Sequence, residues 1–199
     1  KFKDDSPRPF ICQADLGGSI DPSPFVDEDS SAWLLWKNDG NCCGLSVGLW
    51  IQQLSDDGLS LVGRPVELLR HDRAWEAPLI EGPSMLKHGG RYYLFYSANW
   101  YESADYAVGY AVAEAITGPY RKMTTDGPLF AGRGDVAGPG GQEFFRDVKG
   151  NLWMAYHAWD ARFVGYAKLG RRSLRIDRVT FVGDTPMLHG PTTGPQPLH

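Results

Sequence analysis

The sequence predicts an all-β protein assembled from repeated antiparallel units, on three observations. The first is composition: aromatic residues make up 13 % of 199 residues, with seven Trp and nine Tyr, alongside 24 Gly and 14 Pro. Aromatic side chains favour strands, and Gly and Pro close tight turns, so this mixture suits many short strands. The second is an internal repeat with a period of 60 residues. The third is that no window of a dozen residues carries a 3.6-residue apolar period, so helices should be few.

The repeat orders the chain. DPSPFVDEDSSAWLLWKND from Asp21, EGPSMLKHGGRYYLFYSAN from Glu81 and GQEFFRDVKGNLWMAYHAW from Gly141 align without gaps. Trp36, Tyr96 and Tyr156 coincide, and Ser30, Gly90 and Gly150 fall together at the turn. Each unit reads as strand, turn, strand, with DEDSS, KHGG or DVKG between two apolar runs. A third strand is expected in VGLWIQQL, YAVGYAVA and VGYAKLG, and a weaker fourth in LSLVGRPVELL, GPYRKM and LRIDRVTFV. Four antiparallel strands recurring at this period describe the blades of a β-propeller. The expected blades span about 15–74, 75–134 and 135–185, followed by an irregular Pro/Gly-rich tail. Propellers close with about 4–8 blades, so three leave raw sheet faces. RPFICQ reads as an outer strand of a preceding blade. The missing part is expected from further blades or from a second copy, as a homo-oligomer or a split chain.

Bulk properties exclude several partners. The net charge is −4 without a run of Lys or Arg, which argues against nucleic acid or an anionic membrane surface. No stretch approaches the roughly 18 apolar residues of a membrane span, and KFKDDSPRPF has no signal-peptide core. The expectation is a secreted or extracytoplasmic protein whose export signal lies outside this chain. Cys12, Cys42 and Cys43 lack metal-ligand spacing, and they suggest at most one disulfide, from Cys12.

The repeat also points to chemistry. Equivalent positions on successive innermost strands converge on the propeller axis, and Asp21, Glu81 and Gly141 are equivalent. Two acids facing each other across a polar channel suit glycoside hydrolysis, where one carboxyl protonates the leaving oxygen. Asp before Pro and the EGP sequence are also ordinary turn signals, so spacing alone leaves a structural role open.

At these residues the chain resembles glycoside hydrolase family 43, the five-bladed propeller arabinofuranosidases, arabinanases and xylosidases. The resemblance rests on GGSIDPSPFVDED with LLWKND, on APLIEGPSMLKHGGRYYLFYSANWY, and on GYAVAEAITGPY, AGPGGQEFF and WMAYHAWD. It implies that Glu81 is the general acid and Asp21 the carboxylate that tunes it. The family's catalytic base is an Asp on a first blade that this chain lacks; Asp4, Asp5 and Asp15 do not stand in its motif. The resemblance also implies that His157 lies at the axis, where relatives often hold a hydrated Ca²⁺, although Gln142 stands where many carry His. No cofactor is required for the chemistry.

Candidate substrate-binding residues are Trp36, Asn38, Asn99, Trp100, Tyr101 and Gln142. Aromatic faces stack on sugar rings and amides bridge hydroxyls, although the repeat position of Trp36 also suits the core between blades. Phe25 aligns with Met85 and Phe145 and reads as packing, while Arg171 and Arg172 sit on an outer turn with no assigned chemistry. The expected activity is hydrolysis of arabinofuranosyl or xylosyl linkages in plant cell-wall polysaccharide, with the base supplied from elsewhere. The alternative is a non-catalytic carbohydrate-binding propeller fragment or assembly subunit.

Overall fold

A computed structural model describes residues 6–198 of the chain. It contains twelve strands in three four-stranded antiparallel sheets, a partial propeller. The first blade is β1 (Ser19–Val26), β2 (Ala32–Asn38), β3 (Gly48–Leu54) and β4 (Leu61–Arg70). The second is β5 (Ile80–His88), β6 (Arg91–Ala98), β7 (Ala107–Ala113) and a two-residue β8 (Arg121–Lys122). The third is β9 (Val136–Arg146), β10 (Leu152–Asp160), β11 (Arg172–Val182) and β12 (Thr185–Leu188). Among the described residues, helical structure is confined to four short 3-10 turns, none long or apolar enough to cross a membrane.

The run RYYLFYSA shows how sequence builds the stack. Successive strand residues point to opposite faces. Tyr92, Leu94 and Tyr96 therefore pack on Leu35, Leu49 and Ile51 of the first blade. Tyr93 and Phe95 pack on Met154 and Tyr156 of the third. Both faces of the middle blade are buried, so its second strand runs apolar and aromatic without alternation from Tyr92 to Tyr96.

The aligned aromatics are all buried, Tyr96 and Tyr156 in these interfaces and Trp36 against the N-terminal segment, and the polar atom of each finds an acceptor. Trp36 Nε1 donates to Gln13 Oε1 at 2.8 Å, Tyr96 Oη to Glu76 Oε1 at 2.7 Å, and Tyr156 Oη to Asp177 Oδ2 at 2.6 Å. Burying such groups without a partner would be costly.

Three expectations are corrected. VGYAKLG is not a strand. Gly165 and Leu169 adopt left-handed φ values of 86° and 57° around a 3-10 turn, and the third strand is instead β11, which contains LRIDRVTFV. RPFICQ forms no strand; prolines lack the N–H a ladder needs, and Phe10 and Ile11 lie beside Leu34 and Trp36 of the first blade. The disulfide joins Cys42 to Cys43, and Cys12 is free and exposed.

The first and second blades are clamped by a buried ionic cluster. Glu76 is fully buried, and its Oε2 accepts from Lys122 Nζ at 2.6 Å and from the Asp72 N–H at 2.9 Å. Removing one partner of such a group leaves an uncompensated buried charge. Glu76→Ala is expected to destabilise the chain by about 3–5 kcal/mol, measured by urea denaturation.

Candidate active site

The innermost strands β1, β5 and β9 lie side by side, and each ladder slips near the axis. Pairing is irregular between Ile20 and Ser23, between Glu81 and Ser84, and around Gly140 to Glu143. Such bulges re-aim side chains. Asp21, Gly82 and Gly141 have φ of 57°, 56° and 63° in the left-handed region. Asp tolerates that region better than most residues, and Gly does so freely. At Gly141 a Cβ would also come within 2.7 Å of His157 Nε2, which explains why the third blade carries no acid there.

Side chains tie these strands together across the axis. Gly82 N–H donates to Asp21 Oδ2 at 3.0 Å, and Gln142 Nε2 donates to Gly82 O at 2.7 Å. Ser97 Oγ donates to Gln142 Oε1 at 2.8 Å and accepts from the Gly141 N–H at 2.8 Å. The backbone beside Glu81 is therefore held from both neighbouring blades.

The resulting cavity has a volume of about 390 Å³ and includes Asp21, Glu81, Lys37, Asp39, Tyr106, His157 and Arg172 in its wall. Lys37 Nζ, with its side chain only 2 % exposed, donates to Glu81 Oε2 at 3.1 Å and to Asp39 Oδ1 at 3.2 Å. Tyr106 Oη donates to Glu81 Oε1 at 2.8 Å. Burial, and then the charge of Glu81, raise the Tyr106 hydroxyl well above its ordinary pKa, so it remains a donor. Burial, and then the charge of Glu81, also raise the Asp21 carboxyl.

The sequence-derived candidates divide. Trp100, Tyr101 and Gln142 line the cavity, with Trp100 40 % exposed and its ring 5.0 Å from that of Tyr101. Gln142 faces inward chiefly as the brace described above. Trp36 and Asn38 do not line it. Trp36 is buried, with its indole N–H on Gln13. Asn38 is also buried: its Nδ2 donates to Leu16 O and Ser46 O, while its Oδ1 accepts from Gly48 N–H and Trp50 Nε1. Asn99 is a turn residue with φ 76° whose Oδ1 accepts from the Trp100 N–H at 2.6 Å, and it lies outside the cavity wall. Asp15 is exposed in a 3-10 turn away from the cavity, and Asp4 and Asp5 lie outside the described residues.

Lys37, Asp39, Tyr106 and Arg172 were not singled out as site residues by the sequence. One signal could have found Lys37: it lies 60 residues before Ser97 and 120 before His157, at the same repeat position. Arg172 reaches the wall because β11 begins there, after the turn misread as a strand.

Residues 5–186 match the family model described as glycosyl hydrolases family 43. The chain belongs to glycosyl hydrolases family 43. It is 28 % identical over 164 residues to a β-D-galactofuranosidase, xynD, of Aspergillus niger, a match covering 82 % of this chain and 43 % of that protein. It is 26 % identical over 177 residues to a xylosidase/arabinosidase of Butyrivibrio fibrisolvens, covering 83 % and 33 %. A crystal structure of a thermostable family-43 glycoside hydrolase superposes with a TM-score of 0.79 at 32 % identity, over 90 % of this chain and 60 % of that one. The chain thus spans less than half the length of these curated relatives.

The hydrated calcium ion expected at the axis of this family-43 chain would have His157 as its side-chain ligand. Among the described residues no three His, Cys, Asp or Glu side chains are grouped to hold a metal. His157 Nε2 faces the Arg172 guanidinium, whose Nη1 lies 3.3 Å away, so a fixed positive charge stands beside the ring nitrogen. Burial, and then the charge of Arg172, lower His157 to about 4, which keeps it neutral at ordinary pH. Its Nδ1 is buried and has no hydrogen-bond partner. Millimolar CaCl₂ or EDTA is expected to leave the thermal midpoint unchanged, whereas a resident ion would raise it by mass action.

The Asp21 shift sets a stability consequence. Its folded pKa lies above the unfolded value, so the folded state binds the proton more tightly. Stability is therefore lost as pH rises from the ordinary carboxylate range through the raised value, and ionised Asp21 opposes folding above it. Asp21→Asn, which keeps an acceptor for the Gly82 N–H, is expected to raise the urea midpoint at pH 7 and leave it nearly unchanged at pH 3.

Proposed function

We propose that this chain carries the proton-donating part of a glycosidase active site, with Glu81 as general acid toward the leaving oxygen. The observation that carries this reading is the cavity itself. It sets Glu81 beside Asp21, with one Glu81 oxygen on Tyr106 and the other on Lys37. Loading a proton on Oε2 requires Lys37 to turn toward Asp39, which keeps it ion-paired. Asp21 positions Glu81 through the neighbouring Gly82 N–H and contributes a like charge. Trp100 and Tyr101 offer faces for a sugar ring.

Inversion needs a base across about 6.5–9.5 Å to activate water. Asp39 does not supply it: Asp39 Oδ1 and Glu81 Oε2 touch the same Lys37 Nζ, at 3.2 and 3.1 Å, and so lie closer than that range. In this reading the base comes from further blades or another chain. No cofactor takes part, and the protein acts outside the cytoplasm, where such polysaccharides occur.

The substrate class follows the relatives. Arabinofuranosyl or xylosyl linkages remain the first choice, supported by the xylosidase/arabinosidase relative, and a galactofuranosyl linkage joins them through the Aspergillus niger relative. A non-catalytic carbohydrate-binding role is the alternative, favoured by Asp39 sharing Lys37 with Glu81, too close to serve as the base.

Hydrolysis of aryl arabinofuranoside, aryl xyloside and arabino-oligosaccharides by the chain assembled with the blades or second copy that supply the base separates the two. Glu81→Gln is expected to abolish turnover of oligosaccharides, by about 10²–10⁴-fold, while sparing aryl glycosides with acidic leaving groups. Equal loss on both substrate types would remove Glu81 from the proton-donor role. Binding of arabino-oligosaccharides without turnover would support the binding alternative.

A further inference from the structure

The cavity has two walls of opposite charge, and only the acidic one contains an ion pair. On the acidic wall, Lys37 is committed to Glu81 and Asp39. On the other, no carboxylate among the described residues forms an ion pair with Arg172. Glu102, which reaches Tyr166, lies against that residue's backbone N–H at 3.3 Å. The other polar partners of Arg172 are neutral: Nε and Nη2 donate to Tyr166 Oη at 3.1 and 2.8 Å, and Nη1 faces His157 Nε2 at 3.3 Å.

The guanidinium is held in place. Its central carbon lies 5.1 Å from the ring centre of Tyr101, and 5.7 Å from those of Trp159 and Tyr166. Such stacking favours Arg and fixes the plane of the fork. A guanidinium has five N–H donors. Three are engaged by Tyr166 and His157, leaving one on Nη1 and one on Nη2. Arg171 joins Arg172, His157 and Tyr166 around an adjoining cavity of about 500 Å³.

We propose that Arg172 forms a carboxylate subsite beside the cavity, so that the preferred saccharide carries a uronic acid. Two free N–H groups on a fixed guanidinium match the two oxygens of a carboxylate, the geometry in which Arg outperforms Lys. Neutral His157 offers no competing charge, and the Tyr101 face lies beside the same guanidinium. This proposal rests on the cavity being a saccharide site and names the class of sugar it selects.

The test compares binding of a xylo-oligosaccharide carrying one glucuronic acid with the same oligosaccharide lacking it. The purified chain is used, and binding is followed by tryptophan fluorescence. The acidic ligand is expected to bind about tenfold or more tightly, with a preference that weakens in high salt. Arg172→Gln should lower affinity for the acidic ligand about tenfold more than for the neutral one and so erase the preference, and Arg172→Lys should restore it only in part. Tyr166→Phe, which frees the guanidinium without removing its charge, should reduce the preference and provides a second variant if Arg172→Gln fails to fold. Equal affinity for both ligands, binding of neither, or an equal loss on both in Arg172→Gln would overturn the subsite. Glu81-dependent hydrolysis of neutral arabino-oligosaccharides, by the chain assembled with the blades or copy that supply the base, is measured in parallel. Its persistence without acidic preference sinks the subsite alone; acidic preference without hydrolysis sinks the glycosidase reading alone.

Discussion

The site depends on how three innermost strands are fastened where they do not pair. β1, β5 and β9 belong to different sheets, so no ladder joins them. Their backbones are instead linked by Asp21 to the Gly82 N–H, by Gln142 to Gly82 O, and by Ser97 to the Gly141 N–H. These bonds are available because the strands bulge there and expose backbone groups that a regular ladder would have used. The bulge that weakens pairing therefore both aims the acids inward and supplies the donors and acceptors that hold them.

Charge is arranged around that frame with little freedom. Lys37 is almost fully buried, and a buried ammonium needs partners. Glu81 and Asp39 provide them, which fixes one oxygen of Glu81. Tyr106 fixes the other, and its ring lies parallel to His157, 4° from coplanar orientation with centres 5.8 Å apart. His157 in turn meets Arg172. A connected path of contacts thus runs from the first blade to the third across one cavity, and every member belongs to the wall of that cavity.

Much of this was legible in the sequence, because period and pattern are local. The 60-residue repeat, the turn clusters and the apolar second strands are properties of short segments, and they led to three four-stranded sheets. Asp21 and Glu81 do share one cavity, but not as equivalent positions. Ile20 pairs with Lys37 and Glu81 with Ser97, so the shorter turn of the second blade shifts its first strand by one residue and makes Gly82 the counterpart of Asp21. Errors arose where the repeat decays. The third blade inserts a turn around Gly165 and Leu169 before its third strand, so a Gly-bearing apolar segment was misread as strand.

The remainder belongs to tertiary structure, since it depends on which atoms reach one another across blades. The sequence by itself determined an all-β partial propeller, its family and the pair of acids, because strand period, turn chemistry and motif spacing are written along the chain. It left open whether Trp36 lay in the core or in the site. Asn38 could likewise have served a sugar until its hydrogen bonds to Leu16, Ser46, Gly48 and Trp50 were seen. Only the assembled blades decided that Lys37 and Tyr106 hold Glu81, that Asn99 serves a turn, and that Arg172 stands beside His157. The reason is physical: a side chain's role is set by the partners that remain after burial, and those partners come from residues distant in sequence.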